Sequence, residues 1–266
     1  QLDDLIMSKK ETLSIVKIGG NIVDNPEALD AFLDDFHQLG GHKILVHGGG
    51  VMASKMAKQL GIETKMLNGR RITDAETLKL VTMVYAGWIN KNIVAQLQKR
   101  GCNAMGLSGA DGNTIPAIKR SPVPIDFGFA GDPDPAKTNA TLLSRLLEGG
   151  VTPVFCAITH DENGSLLNTN ADTIANTVAT ACSGLYRTIL YYCFEKEGVL
   201  KDVNNPDSLI PTMHRDEYEV YKQQHIIVDG MIPKLDNAFK AIESGVAEVI
   251  VLHAKNILNG KGTVLS

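Results

Sequence analysis

The chain lacks most of the features that give a function away at first reading. It has no excess of positive charge: 26 Lys and Arg stand against 30 Asp and Glu, for a formal net charge of −4. No basic stripe and no lysine run interleaved with aromatics occurs, which argues against nucleic acid and against an anionic membrane surface as partners. No apolar run reaches the length needed to span a bilayer. The four cysteines, Cys102, Cys156, Cys182 and Cys193, lie far apart, without metal or redox spacing. Three of them sit in apolar runs, so buried reduced thiols and a cytoplasmic protein are expected. The histidines lack zinc spacing. Three signatures are missing as well. No G-x-x-x-x-G-K-[ST] occurs, so there is no P-loop. No G-x-S-x-G occurs, so there is no hydrolase nucleophile elbow. No G-x-G-x-x-G opens a helix, so the dinucleotide fingerprint is absent.

Glycine, by contrast, is plentiful and sits at the ends of strands. The run Ile44-Leu45-Val46-His47 passes into Gly48, Gly49 and Gly50, and a helical pattern follows at once at Val51, Met52, Met56 and Leu60. Bare backbone N–H groups at a helix start form an anion site, because the dipole and the unpaired donors both favour negative charge. Leu13–Ile18 repeats the design: it carries Lys17 next to its end and runs into Gly19-Gly20-Asn21. Two such turns can lie side by side outside the carboxyl ends of parallel strands, where ligands sit in open α/β sheets.

With 266 residues the chain is long enough for one large α/β domain or two lobes. Its order reads as alternating strands and helices with short loops, which predicts α/β architecture with a mostly parallel open sheet. Asn25-Pro26-Glu27 reads as a helix start, running to Leu39. Asn68-Gly69 is a turn followed by the paired Arg70 and Arg71. Thr73-x-x-Glu76 reads as a capping box opening a long helix to about Arg100, in which Trp88 is either core or interface. Residues 120–137 hold four prolines and read as irregular structure or a hairpin over a site. A buried strand is expected over 151–158, a hairpin turn at 162–165 and a helix over 173–183, where a lobe boundary falls. A strand at 188–194 and helices at 215–223 and 234–244 follow, then strands at 248–252 and 263–265.

The chemistry that remains is a set of anion-binding parts with no obvious nucleophile or base. Phosphoryl transfer fits such a set, because its transition state needs in-line positioning and charge neutralisation more than covalent help. Five stretches carry a resemblance: Lys17-Ile18-Gly19-Gly20, His47-Gly48-Gly49-Gly50, Asn68-Gly69-Arg70-Arg71-Ile72-Thr73, Asn168-Thr169-Asn170-Ala171-Asp172 and Asp229-Gly230-Met231-Ile232-Pro233-Lys234. In this order they resemble the N-acetylglutamate kinases of the amino acid kinase family, from about residue 13 to the end of the chain.

The resemblance implies a three-layer α/β/α sandwich in two lobes. Residues 1–183 would bind the acylglutamate and dimerise, and 184–266 would bind ATP. It implies that Lys17 and Lys234 stabilise the phosphoryl group in flight, with Asp172 orienting them. Gly19, Gly20, Gly48 and Gly49 would present N–H groups to phosphate and acceptor. Arg71, Asn168 and Asn170 would hold the acceptor. Glu195, Gly198, Asp229 and Met231 would lie near the nucleotide. Mg²⁺ would be carried by the ATP phosphates, with no protein ligand. The turn Phe194-Glu195-Lys196-Glu197-Gly198 departs from the Ser-Asp-Val-x-Gly of many relatives. The proline-rich loop leaves the acyl group open between acetyl and a larger one such as succinyl. Glutamate, aspartate or carbamate kinase is the alternative within the family, and a non-catalytic nucleotide or amino-acid sensor the alternative outside it.

Arginine-inhibited members of the family carry an extra N-terminal helix that links dimers into hexamers, and about a dozen residues precede the first strand here. The expectation is a homodimer insensitive to arginine. Light scattering that reports a hexamer, or inhibition by millimolar arginine, counts against it.

Overall fold

The computed structural model describes residues 10–67, 69–202, 204–227 and 231–266. The chain opens with strand β1 (Thr12–Ile18), a short helix α1 (Gly20–Val23), helix α2 (Pro26–Gln38), strand β2 (His42–His47) and helix α3 (Gly50–Gln59). A hairpin follows, β3 (Lys65–Leu67) and β4 (Arg70–Ile72). Helix α4 (Ala75–Thr82) passes through a π-helical turn at Met83–Ile89 into α5 (Asn90–Lys99), and strand β5 (Ala104–Leu107) succeeds it. Strands β6 (Ala117–Lys119) and β7 (Gly131–Pro133) form a second hairpin. Then come helix α6 (Ala140–Glu148), strand β8 (Thr152–Phe155), the hairpin β9 (Ile158–His160) and β10 (Leu166–Asn168), and helix α7 (Ala171–Cys182). Strands β11 (Arg187–Phe194) and β12 (Thr212–Met213), helices α8 (Arg215–Gln223) and α9 (Ile232–Glu243), and strands β13 (Glu248–His253) and β14 (Gly262–Leu265) complete it.

Eight strands form one sheet in the order β12-β14-β13-β11-β1-β2-β8-β5. All neighbours are parallel except β13 and β14. From Leu13 onward β1 is buried along its whole length, as expected for a central parallel strand covered on both faces. Helices α6, α7 and α9 pack in one layer, and α2 and α5 pack together in another. The α7 face against the sheet is small and apolar (Ala171, Ile174, Ala175, Val178, Ala179, Cys182), which lets helix and sheet approach closely. β2 lies on one side of β1 and β11 on the other, so the chain reverses direction across the sheet at β1. The crevice outside the carboxyl ends of β1, β2 and β11 is where such a fold binds ligands. Among the described residues no helix is long and apolar enough to cross a membrane.

Most expected elements fall where periodicity put them, and four local readings change. The run 151–158 is not one strand: β8 ends at Phe155, and the chain turns off so that Ile158 starts the β9–β10 hairpin. A continuous apolar run carries no period to mark such a break. The cap of α4 is Asp74, whose side chain accepts from the Thr77 N–H at 2.8 Å, while Thr73 is held by backbone hydrogen bonds to Phe127 and Phe129. Helix α7 starts two residues early, because Asn170 caps it, accepting from the Asp172 and Thr173 N–H groups at 2.8 and 3.2 Å. The helix from 73 to 100 is interrupted by the π-turn, which leaves Trp88 66% and Met83 60% exposed, so Trp88 is not core. All four cysteines are buried and free. Burial pushes the thiols of Cys156, Cys182 and Cys193 up to about 12.

The Asn25 cap of α2 is as expected, with its side chain accepting from Glu27 and Ala28 N–H groups at 3.1 Å each. Asn25→Ala should lower stability by about 1 kcal/mol, read as a shift of the urea midpoint without a change of slope.

Candidate active site

Lys17 is the penultimate residue of β1 and is buried. Its ammonium lies 2.7 Å from Asp172 Oδ1. Asp172 stands in the first turn of α7, where the dipole favours a carboxylate. The Tyr192 hydroxyl, from the buried end of β11, lies 3.5 Å from the Asp172 carbonyl oxygen, which can accept from it. Lys234 stands in the first turn of α9, and its Nζ lies 4.0 Å from the centre of the Phe194 ring. Lys17 Nζ lies 5.7 Å from the same ring. Burial pushes the Lys234 ammonium below its usual value; the Asp172 carboxylate pulls it up and the Lys17 charge pushes it down. Asp172 thus contacts Lys17 directly and reaches Lys234 through its field.

Two cavities share this corner. The first, about 230 Å³, runs from Lys17, Gly19 and Gly20 past Gly48, Gly49 and Asp172 to Arg71, Asn168 and Asn170. The second, about 420 Å³, runs from the same Lys17, Gly19 and Gly20 to Lys234, Glu195, Gly198 and Met231. A third, about 380 Å³, shares Lys196, Gly198 and Met231 with the second and continues it along Val199, Lys201 and Ile226. Every site residue expected from the sequence therefore lines one of these cavities except Asp229, which lies outside the described residues, as does Asn68.

Arg71 is buried in the lining of the first cavity and does not reach the second. Its Nη2 donates to the Gly50 carbonyl at 3.0 Å and to the Ser54 hydroxyl at 2.8 Å. Its Nε and Nη1 are buried with no protein partner among the described residues. A buried guanidinium with two unpartnered donors is chemically suited to a carboxylate, since unmade hydrogen bonds at a buried charge are costly. Asn168 Nδ2 donates at 3.0 Å to Thr73 Oγ1, which donates at 3.1 Å to the Arg71 carbonyl. Arg70 and Arg120 reach the same cavity, and the Arg120 Nε lies 3.0 and 3.1 Å from the carboxylate oxygens of Asp132. The Gly48 N–H is turned back to the Ile18 carbonyl at 3.4 Å, which ties the β1 and β2 ends together. A side chain at Gly49 would collide with Ile89 and with Tyr85, whose Cδ1 would be 2.9 Å away. The π-turn thus backs directly onto the glycine turn.

Sequence reasoning gave no site role to Thr73, Tyr85, Ser54 or Phe194. Thr73 stood inside a quoted motif. Tyr85 looked like any apolar position of a helix, and burial raises its phenol while the nearby Arg71 lowers it.

The family model of the amino acid kinase family matches residues 12–253. The chain belongs to the amino acid kinase family. It is 54% identical over 254 residues to the acetylglutamate kinase of Bacteroides thetaiotaomicron, covering 96% of this chain and 98% of that one. It is 53% identical over 256 residues to the acetylglutamate kinase of Phocaeicola vulgatus, covering 96% and 99%. The crystal structure of a Streptococcus mutans UA159 protein superposes with a TM-score of 0.78 at 23% identity, covering 96% of this chain and 98% of that one; that likeness bears on the fold alone.

The field at Lys234 gives a signed expectation. Asp172→Asn removes the carboxylate that favours the Lys234 ammonium, so the alkaline limb of the kcat–pH profile should move to lower pH. Lys17→Met removes a like charge and should move the residual activity's limb to higher pH. Limbs that stay in place in both variants would show that Lys234 does not set them.

Proposed function

We infer that this amino acid kinase transfers the γ-phosphoryl group of ATP to the side-chain carboxylate of an N-acylated glutamate. N-acetylglutamate is the acceptor named for its relatives. The observation that carries the reading is the meeting of two cavities at Lys17, Gly19 and Gly20, with the unpartnered donors of Arg71 in the lining of one and Lys234 in the other. An acceptor carboxylate is already an anion and needs no general base. The site then has to place two anions in line and neutralise charge as it develops. Lys17 and Lys234 supply the neutralising charge, and Asp172 fixes Lys17. The glycine turns let phosphate and carboxylate approach main-chain N–H groups. Arg71, supported by Ser54 and the Gly50 carbonyl, takes the α-carboxylate in a two-pronged grip, with Asn168 and Asn170 beside it.

The nucleotide lies along the second and third cavities, past Glu195, Gly198 and Met231. No cluster of three or more His, Cys, Asp or Glu side chains among the described residues is placed to cage a metal ion. Mg²⁺ belongs to this reading as an ion brought in on the ATP phosphates. The division into an acceptor lobe over 1–183 and a nucleotide lobe over 184–266 belongs to the same reading. So do a homodimer, with the exposed Trp88 and Met83 at its interface, and a cytoplasmic location. An acyl group with its own carboxylate, as in N-succinylglutamate, is the second reading. Arg70 and Arg120 in the first cavity favour it, since one cation beyond Arg71 would suit a second acid.

ATP consumption with Mg²⁺ is measured with N-acetylglutamate, N-succinylglutamate, glutamate, aspartate and carbamate in turn, trapping acyl phosphate with hydroxylamine. Turnover with an acylglutamate is expected, and kcat/KM for the two decides the acyl group. A folded protein that binds ATP and turns over none of them would be a sensor. Lys17→Ala and Lys234→Ala should each lower kcat on the order of 10²–10³-fold; Lys234→Ala should leave the thermal midpoint little changed, whereas Lys17→Ala, which strands the Asp172 carboxylate, should lower it.

A further inference from the structure

His47, the last residue of β2, is fully buried directly before the glycine turn. Its Nδ1 lies 2.8 Å from the Gly48 carbonyl oxygen, and its Nε2 lies 3.1 Å from Nδ2 of Asn90. Asn90 is itself buried, at the residue where the π-turn gives way to α5. The same Nδ2 lies 2.9 Å from the Val154 carbonyl oxygen on β8. Asn90 Oδ1 lies 3.1 Å from the Lys91 ammonium, which also reaches the Gly106 carbonyl at 3.2 Å.

Donor and acceptor chemistry allows one assignment of this chain of contacts. Val154 O only accepts, so the atom facing it is the amide nitrogen. Lys91 only donates, so the atom facing it is the amide oxygen. The two Asn90 hydrogens then go to Val154 and to His47, and His47 Nε2 must be an acceptor. Gly48 O only accepts, so His47 Nδ1 must carry the proton. The ring is therefore a neutral Nδ1–H imidazole. Burial holds it neutral, pushing its pKa down to about 4, with the Lys91 charge acting in the same direction.

The consequence falls on the next peptide. The Gly48 carbonyl and the Gly49 N–H belong to one planar trans unit and point in opposite directions. Holding the carbonyl against His47 aims the Gly49 N–H the other way. Gly48 and Gly49 both line the first cavity. We propose that Asn90, acting through His47, is a positioning residue that locks the Gly48–Gly49 peptide with its N–H toward the bound acceptor and the phosphoryl group it receives. This rests on the proposed reading of that cavity as the acceptor site. The clamp is tight from behind as well: a side chain at Gly106 would collide with the Asn90 amide, and one at Gly49 with Tyr85 and Ile89 of the π-turn.

Two measurements test it. The first is ¹⁵N-edited NMR of the His47 ring in the unaltered chain. A neutral Nδ1–H ring, unchanged from pH 5.5 to 8.5, is expected. An Nε2–H ring, or titration near the ordinary histidine value, overturns the proposal without reference to any variant.

The second is the pH dependence of Asn90→Asp. A carboxylate there can accept but not donate. His47 then donates from Nε2 and lets go of Gly48, or is protonated and donates from both nitrogens. Among the described residues the charged groups acting on the ring are Lys91 and, in the variant, the new carboxylate. β1 pairs Ile18 beside His47, and Cys156, next along from β8, is held neutral by burial. Acceptor kcat/KM of the variant should therefore fall by about 10- to 100-fold at pH 8 and recover toward pH 6, while the KM for ATP stays within about twofold. A loss of equal size at every pH, or one shared by ATP, overturns the positioning role. If the unaltered protein turns over no acceptor, the functional reading fails and the role in catalysis falls with it. Turnover in the unaltered protein with a titrating His47 overturns this inference alone.

Discussion

Lys17 and Asp172 hold each other at 2.7 Å, and the geometry of the site depends on that contact. Neither charge is well solvated, so each needs the other; removing one would leave the second stranded, which is the expensive half of any buried pair. The pair ties the end of β1 to the first turn of α7, the helix that packs across β1, β2 and β11. Asn170 fixes where that helix begins, and so fixes where the carboxylate stands. An ion pair at a sheet's carboxyl edge is a poor source of stability for its own sake. In the proposed phosphoryl transfer it serves as a preorganised charge that does not have to move when a phosphate arrives.

Around this pair the molecule subtracts side chains. Gly19 and Gly20 on one turn and Gly48 to Gly50 on the other leave room for anions against the main chain, and Gly49 leaves room behind for Tyr85 and Ile89. The glycine turn is thus pressed from the rear by a π-turn whose opposite side exposes Trp88 and Met83. A π-turn inside an α-helix adds a residue and resets which side chains face inward, which is one reason such turns gather at functional sites. Here it brings Tyr85 to Arg71 and Asn90 to His47, joining the first cavity to the backbone that shapes it.

Legibility followed the physics of each signal. Lys17, the glycines and Asp172 were readable because strand ends, bare turns and helix starts leave local marks. The cap of α4 was misplaced by one residue because Thr73 and Asp74 are both good caps. Only the loop carrying Phe127 and Phe129, far along the chain, claims the Thr73 backbone. Thr73 then serves as the link between Arg71 and Asn168, two residues 97 positions apart by their numbers, which no periodicity connects.

The sequence by itself determined the alternation of strands and helices, the glycine-rich make-up of two strand-end turns, and the family, because each rests on residue types at short spacing. The tertiary structure decided which donors remain free. Arg70 and Arg71 are indistinguishable as letters, yet burial against Gly50 and Ser54 leaves two Arg71 donors without a hydrogen-bond partner among the described residues. It likewise decided that His47 is a neutral donor to Gly48, since its protonation follows from Asn90, Val154 and Lys91, residues brought together only by packing. Hydrogen-bond satisfaction is a property of the folded neighbourhood, and it is this property that turns a list of polar residues into a site.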